Sequence, residues 1–139
     1  MYKSPKALPR GLRNNNPGNL RHNRLQRWQG EVSGADPAFC TFITMAHGYR
    51  ALMITLRTYM TKHGLHTVAK IITRWAPMRE NDTPAYIRAV CRYTGYGPDD
   101  RLEPTKEVLT ALAAAISRHE NGLGAEPEDV EEGWRLITL

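Results

Sequence analysis

The chain has little cysteine, and it contains neither a C-x-x-C pair nor an H-E-x-x-H motif. Cys40 and Cys91 are far apart in sequence, which predicts free, semi-buried thiols, with a disulfide between them as the second possibility. His63 and His66 have a spacing found in metal sites, but Gly64 breaks the helix that would align them. The sequence therefore predicts no metal site and no cofactor.

Long apolar runs are also lacking. No window reaches the roughly 20 apolar residues of a membrane span. Residues 1–6 carry positive charge without the apolar core of a signal peptide behind them. The sequence thus predicts neither a membrane span nor a signal peptide. A chain of 139 residues that is 41% hydrophobic can bury the core of one domain and is too short for two ordinary ones.

Acidic residues are missing from residues 1–30, which hold seven lysines and arginines. They concentrate instead in residues 126–139, so residues 1–125 have 18 basic and 9 acidic groups and a net charge of +9. Such a field favours a polyanionic partner, which could be nucleic acid, a membrane surface, or the teichoic acid and lipopolysaccharide of a bacterial envelope. Scattered positive charge can equally serve solubility alone.

Hydrophobic periodicity predicts a mainly α protein of the α+β class, with five or so helices and one small β-hairpin. Residues 1–12, with two prolines and no apolar period, should form a flexible basic arm. Residues 13–139 should form a single domain that ends in an acidic helix over 127–138. The hairpin arms are residues 27–32 and 39–43, and the helices before the last one are expected at 46–62, 68–75, 83–94 and 104–120.

Glu120 continues an apolar row at helical spacing. The row is formed by Val108, Leu112 and Ile116. The Asn-Gly pair at 121–122 is suited to a left-handed turn that ends a helix, so Glu120 falls in the last turn, where the macrodipole disfavours negative charge. Both effects favour a protonated carboxyl group, as a general acid for glycoside cleavage requires. The alternative is a solvated side chain that pairs with the arginine or histidine just before it.

Two further acids stand in predicted loops or turns. Glu31 lies at the end of the first hairpin arm, and Glu80 lies in the polar loop 76–82. Either could supply a second carboxylate beside Glu120. An acid next to a turn is, however, usually just solvated.

Three asparagines precede Pro17-Gly18, a run that predicts a tight turn rather than a helix or strand. Their amides either bond the backbone or face outward toward a neutral polar ligand such as an N-acetylated sugar. Asn15, Asn16 and Asn19 are therefore candidates for substrate binding. Trp28 is another candidate, because its ring could stack on a sugar, although it could equally pin the hairpin to the core.

Several segments together resemble a family of small phage and prophage virion structural proteins that are related to lysozyme-like murein lyases. The match spans residues 13–122, and its motifs are RNNNPGNLR at 13–21, W-x-G at 28–30, F-x-x-F at 39–42, G-x-R-A at 48–51, W-A-P-x-x-E-N-D-T-x-x-Y-I at 75–87 and R-H-E-N-G at 118–122. In lysozyme-like enzymes the helix-end glutamate comes first in the chain. Here it comes last, so the resemblance implies a circularly permuted order.

The resemblance also implies Glu120 as general acid and a groove for peptidoglycan lined by Asn81, Thr83 and Tyr86. A lytic transglycosylase needs one acid, whereas a hydrolase needs a second carboxylate about 5 Å away if retaining or about 6.5–9.5 Å away if inverting. The expected setting is a virion or the bacterial cytoplasm, with action on the wall in the periplasm during phage penetration or lysis.

Two other classes remain open. One is a non-catalytic virion protein that binds the wall or other virion proteins. The other is a basic nucleic-acid-binding virion protein, against which the arginines do not cluster on one helix with interleaved aromatic residues.

Overall fold

A computed structural model describes residues 8–138, apart from the side chain of residue 138. The elements in chain order are α1 (Arg10–Arg13), β1 (Glu31–Val32), β2 (Thr41–Phe42), α2 (Met45–Thr61), α3 (Val68–Trp75), α4 (Thr83–Thr94), α5 (Lys106–Asn121) and α6 (Pro127–Thr138). This part of the chain has six helices and one two-stranded sheet, which confirms the predicted mainly α architecture.

The strands form the predicted antiparallel hairpin. Glu31 pairs with Phe42 and Val32 with Thr41. The pairing is shorter than the two predicted arms, although a single bridge between Arg21 and Phe39 extends the contact toward the asparagine loop. The hairpin packs on α2 through a small cluster centred on buried Cys40 and Phe42.

The long helices begin at side-chain caps. Thr44, Thr67, Asp82 and Thr105 each accept a hydrogen bond from the backbone N–H three residues later. The prediction that Pro104 opens α5 was wrong by two residues. Pro104 precedes the capping threonine, whose side chain satisfies one of the first free N–H groups of the helix.

Glycines end two of these helices. Gly95 (φ 82°) follows α4 and Gly122 (φ 73°) follows α5, both in the left-handed conformation that closes a helix without a Cβ penalty. The backbone N–H of Gly122 donates to the Arg118 carbonyl at 2.8 Å. Glu120 therefore lies in the last turn of α5, as the Asn-Gly pair predicts.

The core forms where α2 packs against α5 and α6, with α4 packed against α5 and α3 packed against α4 and α2. Leu112 and Ile116 on α5 are fully buried, and Val108 packs against the same cluster from a partly buried position. The next residue in this row, Glu120, therefore lies at the edge of the core. Gly133 lets α6 approach α2, because a Cβ there would lie 2.9 Å from the Ala46 carbonyl oxygen.

The arm predicted over residues 1–12 lies largely outside the described residues. Its last part differs from the prediction, since Arg10–Arg13 forms one helical turn. A contact with a distant residue stabilises this turn, because the Arg10 guanidinium group donates two hydrogen bonds to Asp36. Cys40 and Cys91 are free thiols, as predicted. Among residues 8–138, no helix combines the length and apolar character needed to cross a bilayer.

Candidate functional site

A groove of about 310 Å³ opens between the asparagine loop, the loop after α3 and the end of α5. The residues that line it are Gly18, Asn19, Leu20, Arg21, Phe39, Tyr59, Trp75, Ala76, Glu80, Asn81 and Glu120. These residues come from five separate segments of the chain. The fold thus gathers amides, aromatic rings and two carboxyl groups around one cavity.

Glu120 is held in this groove by both of its carboxyl oxygens. Asn19 Nδ2 donates to Oε1 at 3.0 Å, and the Tyr86 hydroxyl donates to Oε2 at 2.8 Å. Glu120 is partly buried. Its side chain is therefore not the solvated, freely rotating group that the alternative from sequence assumed. The predicted alternative partner, His119, instead packs its ring on Tyr86, with centroids 3.9 Å apart.

Tyr86 links the carboxyl group to the wall of the groove. Its hydroxyl accepts a hydrogen bond from Trp75 Nε1 at 3.1 Å while it donates to Glu120. Burial raises the pKa of Tyr86, and the nearby Glu120 charge raises it further. The phenol therefore keeps its proton at physiological pH and remains a donor to the carboxyl group.

The asparagine loop serves the backbone at two of its predicted binding positions. Asn16 is 0% exposed, and its amide bonds the backbone of Leu20 and the carbonyl of Cys40. Asn15 donates to the Phe42 carbonyl at 3.1 Å. Both amides join the loop to the hairpin, and neither residue lines the groove, where the sequence had placed them. Asn19 does line the groove.

Left-handed backbone explains why asparagine stands at both ends of this loop. Asn15 and Asn19 each have φ 52°, a conformation that asparagine tolerates better than most residues. At Asn19 this conformation turns the amide toward Glu120. Asn19, which donates a hydrogen bond to Glu120, is thus positioned by its backbone conformation.

Close packing fixes the loop against the helices. The Asn121 amide, next to Glu120, donates to the carbonyls of Pro17 at 3.0 Å and Ser117 at 2.9 Å. Gly48 on α2 allows the loop to touch that helix, because a Cβ there would lie 2.1 Å from the Asn15 carbonyl oxygen. The distance between Asn19 and Glu120 is therefore set by several independent contacts.

Four other predicted site residues are not part of the groove lining. One is Tyr86, which reaches the groove only through its hydrogen bonds with Trp75 and Glu120; the other three are Trp28, Thr83 and Glu31. Trp28 packs against the Cys40 and Phe42 cluster, which is the core role weighed for it from sequence. Thr83 is 3% exposed, and its hydroxyl donates to the Ala76 carbonyl, so it holds the loop after α3 instead of facing a ligand. Glu31 accepts a hydrogen bond from the Trp28 backbone N–H at 3.1 Å.

Glu80 and Asn81 line the groove, as expected from the resemblance. Glu80 is exposed, whereas Asn81 is partly buried and donates to the Pro77 carbonyl at 3.3 Å. Sequence reasoning missed Tyr59, Arg21 and Phe39 as groove residues. Arg21 could have been found as the end of the 13–21 motif, while Tyr59 carries no local signal beyond its place on the face of α2.

Asp36 supports the part of the hairpin that reaches the groove. Its carboxylate accepts from the Ala38 and Phe39 backbone N–H groups and from Asn14 Nδ2, besides the two bonds from Arg10. The hydrogen bonds from Arg10 lower the pKa of Asp36 well below its usual range, and the bonds from the loop amides add to this effect. This ionised carboxylate ties α1 and the asparagine loop to the Phe39 wall.

The groove brings together groups that general acid–base chemistry uses. The Glu120 carboxyl group is held by two donors, and three aromatic rings line the groove. The Asn81 amide and the Arg21 guanidinium group also belong to the lining. A carboxyl group positioned in this way can give a proton to a substrate oxygen and later take one back.

Comparison with known proteins identifies a phage relative. No protein family model matches the chain. Over 116 residues the chain is 43% identical to Protein P5 of Pseudoalteromonas phage PM2, an alignment that covers 81% of this chain and 71% of the relative. At that identity and coverage, the chain belongs to the same family as this phage protein.

Proposed function

We propose that this protein cleaves the glycan strand of peptidoglycan, as a lytic transglycosylase or muramidase, with Glu120 as its catalytic acid. One observation carries the proposal. Glu120 ends an apolar helix row and presents its carboxyl group to a groove, with Asn19 and Tyr86 donating to its two oxygens. The resemblance of the motifs to murein lyases, with a circularly permuted lysozyme-like order, supports the same assignment.

In the proposed reaction the Glu120 carboxylate, which accepts from Asn19 and Tyr86 in the free protein, first takes a proton from water. It then gives this proton to the glycosidic oxygen as the bond from the muramyl C1 breaks. The resulting carboxylate takes the proton from the muramyl C6 hydroxyl, whose oxygen then attacks C1 and forms the 1,6-anhydro ring. The same carboxyl group thus gives one proton and regains one. Tyr86 remains a donor throughout, because burial and the nearby carboxylate raise its pKa.

The one-acid route is favoured by the composition of the groove. Among the described residues that line it, the only acids are Glu80 and Glu120, and Glu80 is exposed. An exposed carboxylate on a loop is poorly held for the role of nucleophile or base. A muramidase mechanism would require Glu80 as its second carboxylate.

The phage relative supports a phage setting for this proposal. A cell-wall-cleaving protein of a phage would act on the wall in the periplasm, either from the virion during penetration or from the bacterial cytoplasm during lysis. Arg21 in the groove adds a positive charge that suits peptidoglycan, whose stem peptides carry carboxylates.

The test is the loss of turbidity of purified peptidoglycan. The wild-type protein should clear the suspension, and Glu120→Gln should abolish clearing while its circular dichroism spectrum and melting temperature show a folded protein. Glu107→Gln is the matched control, since Glu107 is an exposed acid in the first turn of the same helix. A Glu120→Gln variant that keeps most of the rate would remove Glu120 from the catalytic role.

A second comparison separates the two mechanisms. Glu31→Gln and Glu80→Gln should each slow clearing much less than Glu120→Gln, with 1,6-anhydromuramyl ends on the products. Reducing ends, together with a Glu80→Gln loss equal to that of Glu120→Gln, would instead establish a two-carboxylate hydrolase.

A non-catalytic virion protein is the second candidate, and the phage relative favours it over an enzyme, because the relative's name gives a phage origin and no catalytic activity. In that case the groove binds wall glycan, or another virion protein, without cleaving it. Sedimentation of the wild-type protein with purified sacculi, with no release of soluble muropeptides, would identify this role.

A further inference from the structure

Three side chains with metal-binding atoms meet at the base of the hairpin. Ligand atoms of His22, Glu31 and Cys40 all lie within 4.8 Å of one another. They are brought together by backbone pairing, because the His22 N–H donates to Ala38 and the Cys40 N–H donates to Leu20. The cluster is thus part of the ordered sheet edge and not a chance meeting of long surface side chains.

Hydrogen bonds fix which atoms of the cluster are available. His22 Nε2 lies 3.2 Å from the Asp36 carbonyl oxygen, which can only accept, so neutral His22 carries its proton on Nε2 and presents the Nδ1 lone pair. Glu31 Oε1 accepts from the Trp28 N–H, and Oε2 faces Nδ1 at 3.8 Å. When His22 is neutral, two acceptor atoms therefore face each other beside a buried thiol. A cation between them would relieve their repulsion.

The separation suits a small divalent ion. In a tetrahedral site with metal–ligand bonds of about 2.0–2.3 Å, neighbouring donor atoms lie about 3.3–3.8 Å apart. The nitrogen and oxygen are already at the upper end of that range, and small side-chain rotations would bring in the sulfur. The carbonyl behind His22 and the N–H behind Glu31 are outer-shell partners of the kind that orient metal ligands.

We propose that His22, Glu31 and Cys40 form a binding site for zinc. One thiolate, one imidazole and one carboxylate are a borderline-soft donor set that Zn²⁺ accepts, whereas Mg²⁺ and Ca²⁺ prefer oxygen ligands alone. The side-chain exposures of 43% for His22 and 11% for Glu31 leave the fourth position on the solvent side. The buried Cys40 thiol loses its proton to the solvent as the ion binds.

The ion would tie the loop at His22 to Glu31 in β1 and to Cys40, the residue before β2. Arg21 and Phe39 precede two of the ligands in the chain and line the groove, so binding would stiffen one wall of that groove. It would also engage Glu31 as a ligand. The zinc site does not depend on the proposed cleavage of peptidoglycan, and it is tested by metal binding alone.

The experiment is isothermal titration of zinc chloride into the reduced, tag-free full chain. We expect one ion per chain and a higher melting temperature with zinc but not with magnesium. Cobalt should give a thiolate-to-metal charge-transfer absorption that Cys40→Ser removes. His22→Gln, Glu31→Gln and Cys40→Ser should each weaken zinc binding at least about tenfold.

The chain offers two matched controls. Cys91→Ser removes the other free thiol, and His66→Gln removes the histidine whose Nδ1 lies 3.7 Å from Glu103 in a similar pair without a thiol. Both should bind zinc as the wild type does. No zinc binding, or binding unchanged in the exposed His22→Gln variant, would overturn the site. Binding lost in His22→Gln and Glu31→Gln but kept in a folded Cys40→Ser variant would overturn the ligand set.

Discussion

The hydrogen bond from Tyr86 to Glu120 can be tested without any assumption about function. Tyr86→Phe removes one oxygen atom and keeps the buried ring, which is 1% exposed. The hydroxyl group that is lost donates to Glu120 Oε2 at 2.8 Å and accepts from Trp75 Nε1 at 3.1 Å. The substitution leaves the packing of the ring against His119 in place.

The magnitude follows from these two contacts. A hydrogen bond to a charged group contributes about 1.5–3 kcal/mol, and the Trp75 N–H that loses its partner adds roughly 1 kcal/mol. We therefore expect Tyr86→Phe to lower the free energy of unfolding by about 2–4 kcal/mol. For a chain of this size that corresponds to a melting temperature lower by about 10 °C.

The effect is measured as a double-mutant cycle by urea denaturation of the wild type, Tyr86→Phe, Glu120→Gln and the variant that carries both changes. In the Glu120→Gln background the acceptor is neutral, so the cost of Tyr86→Phe should fall by about 1 kcal/mol. Tyr93→Phe is the control, since Tyr93 is on the same helix and 37% exposed, and it should cost less than about 0.5 kcal/mol. A Tyr86→Phe cost as small as that of Tyr93→Phe would refute the hydrogen-bonded arrangement of Glu120.

Three further predictions concern the support of the groove. Gly48→Ala should destabilise the protein by about 1–3 kcal/mol, measured by urea denaturation, because its Cβ would push the Asn15 backbone away from α2. Asn16→Ala should cost about 2–4 kcal/mol in the same assay, since it leaves buried backbone groups of two segments without partners. Asp36→Asn should destabilise the protein at pH 7, and the difference should shrink in melts below about pH 4. The hydrogen bonds from Arg10 lower the Asp36 pKa, so its contribution is present above the unfolded-state pKa and is lost as pH falls through the folded one. An equal difference at pH 7 and pH 2 would contradict this account.

Local patterns predicted the helices well, because the signals that start and stop them are local. Thr67 and the Asn-Gly pair at 121–122 act within one turn of their own helix. The row that ends at Glu120 also follows from periodicity, since a helix with Leu112 and Ile116 in the core must carry its next member to the core edge. Pro104 shows the limit of such reasoning, because the adjacent Thr105 supplied the better cap.

The partners of Glu120 could not be predicted in this way. Asn19 is 101 residues away in sequence, and the contact depends on where the asparagine loop settles against α2 and α5. Composition also could not say which amides face inward. Asn16 and Asn19 are the same residue type three positions apart, yet one is fully buried and the other reaches the groove.

The hairpin illustrates the same limit. Its existence follows from the aromatic and β-branched residues in its arms. The meeting of Glu31 with His22 and Cys40 depends on the register between strands and on the bridge at Arg21. Residue spacing along the chain therefore predicted no metal site, whereas the folded sheet edge brings three ligand types together.

The most direct measurement is mass analysis of the muropeptides released from purified sacculi by the wild-type protein and by Glu120→Gln, side by side. Cleavage by Glu120 acting as a single acid predicts 1,6-anhydromuramyl fragments from the wild type and none from a folded Glu120→Gln protein that still sediments with the sacculi. No soluble glycan fragments from the wild type, or the same fragments from both proteins, would contradict it.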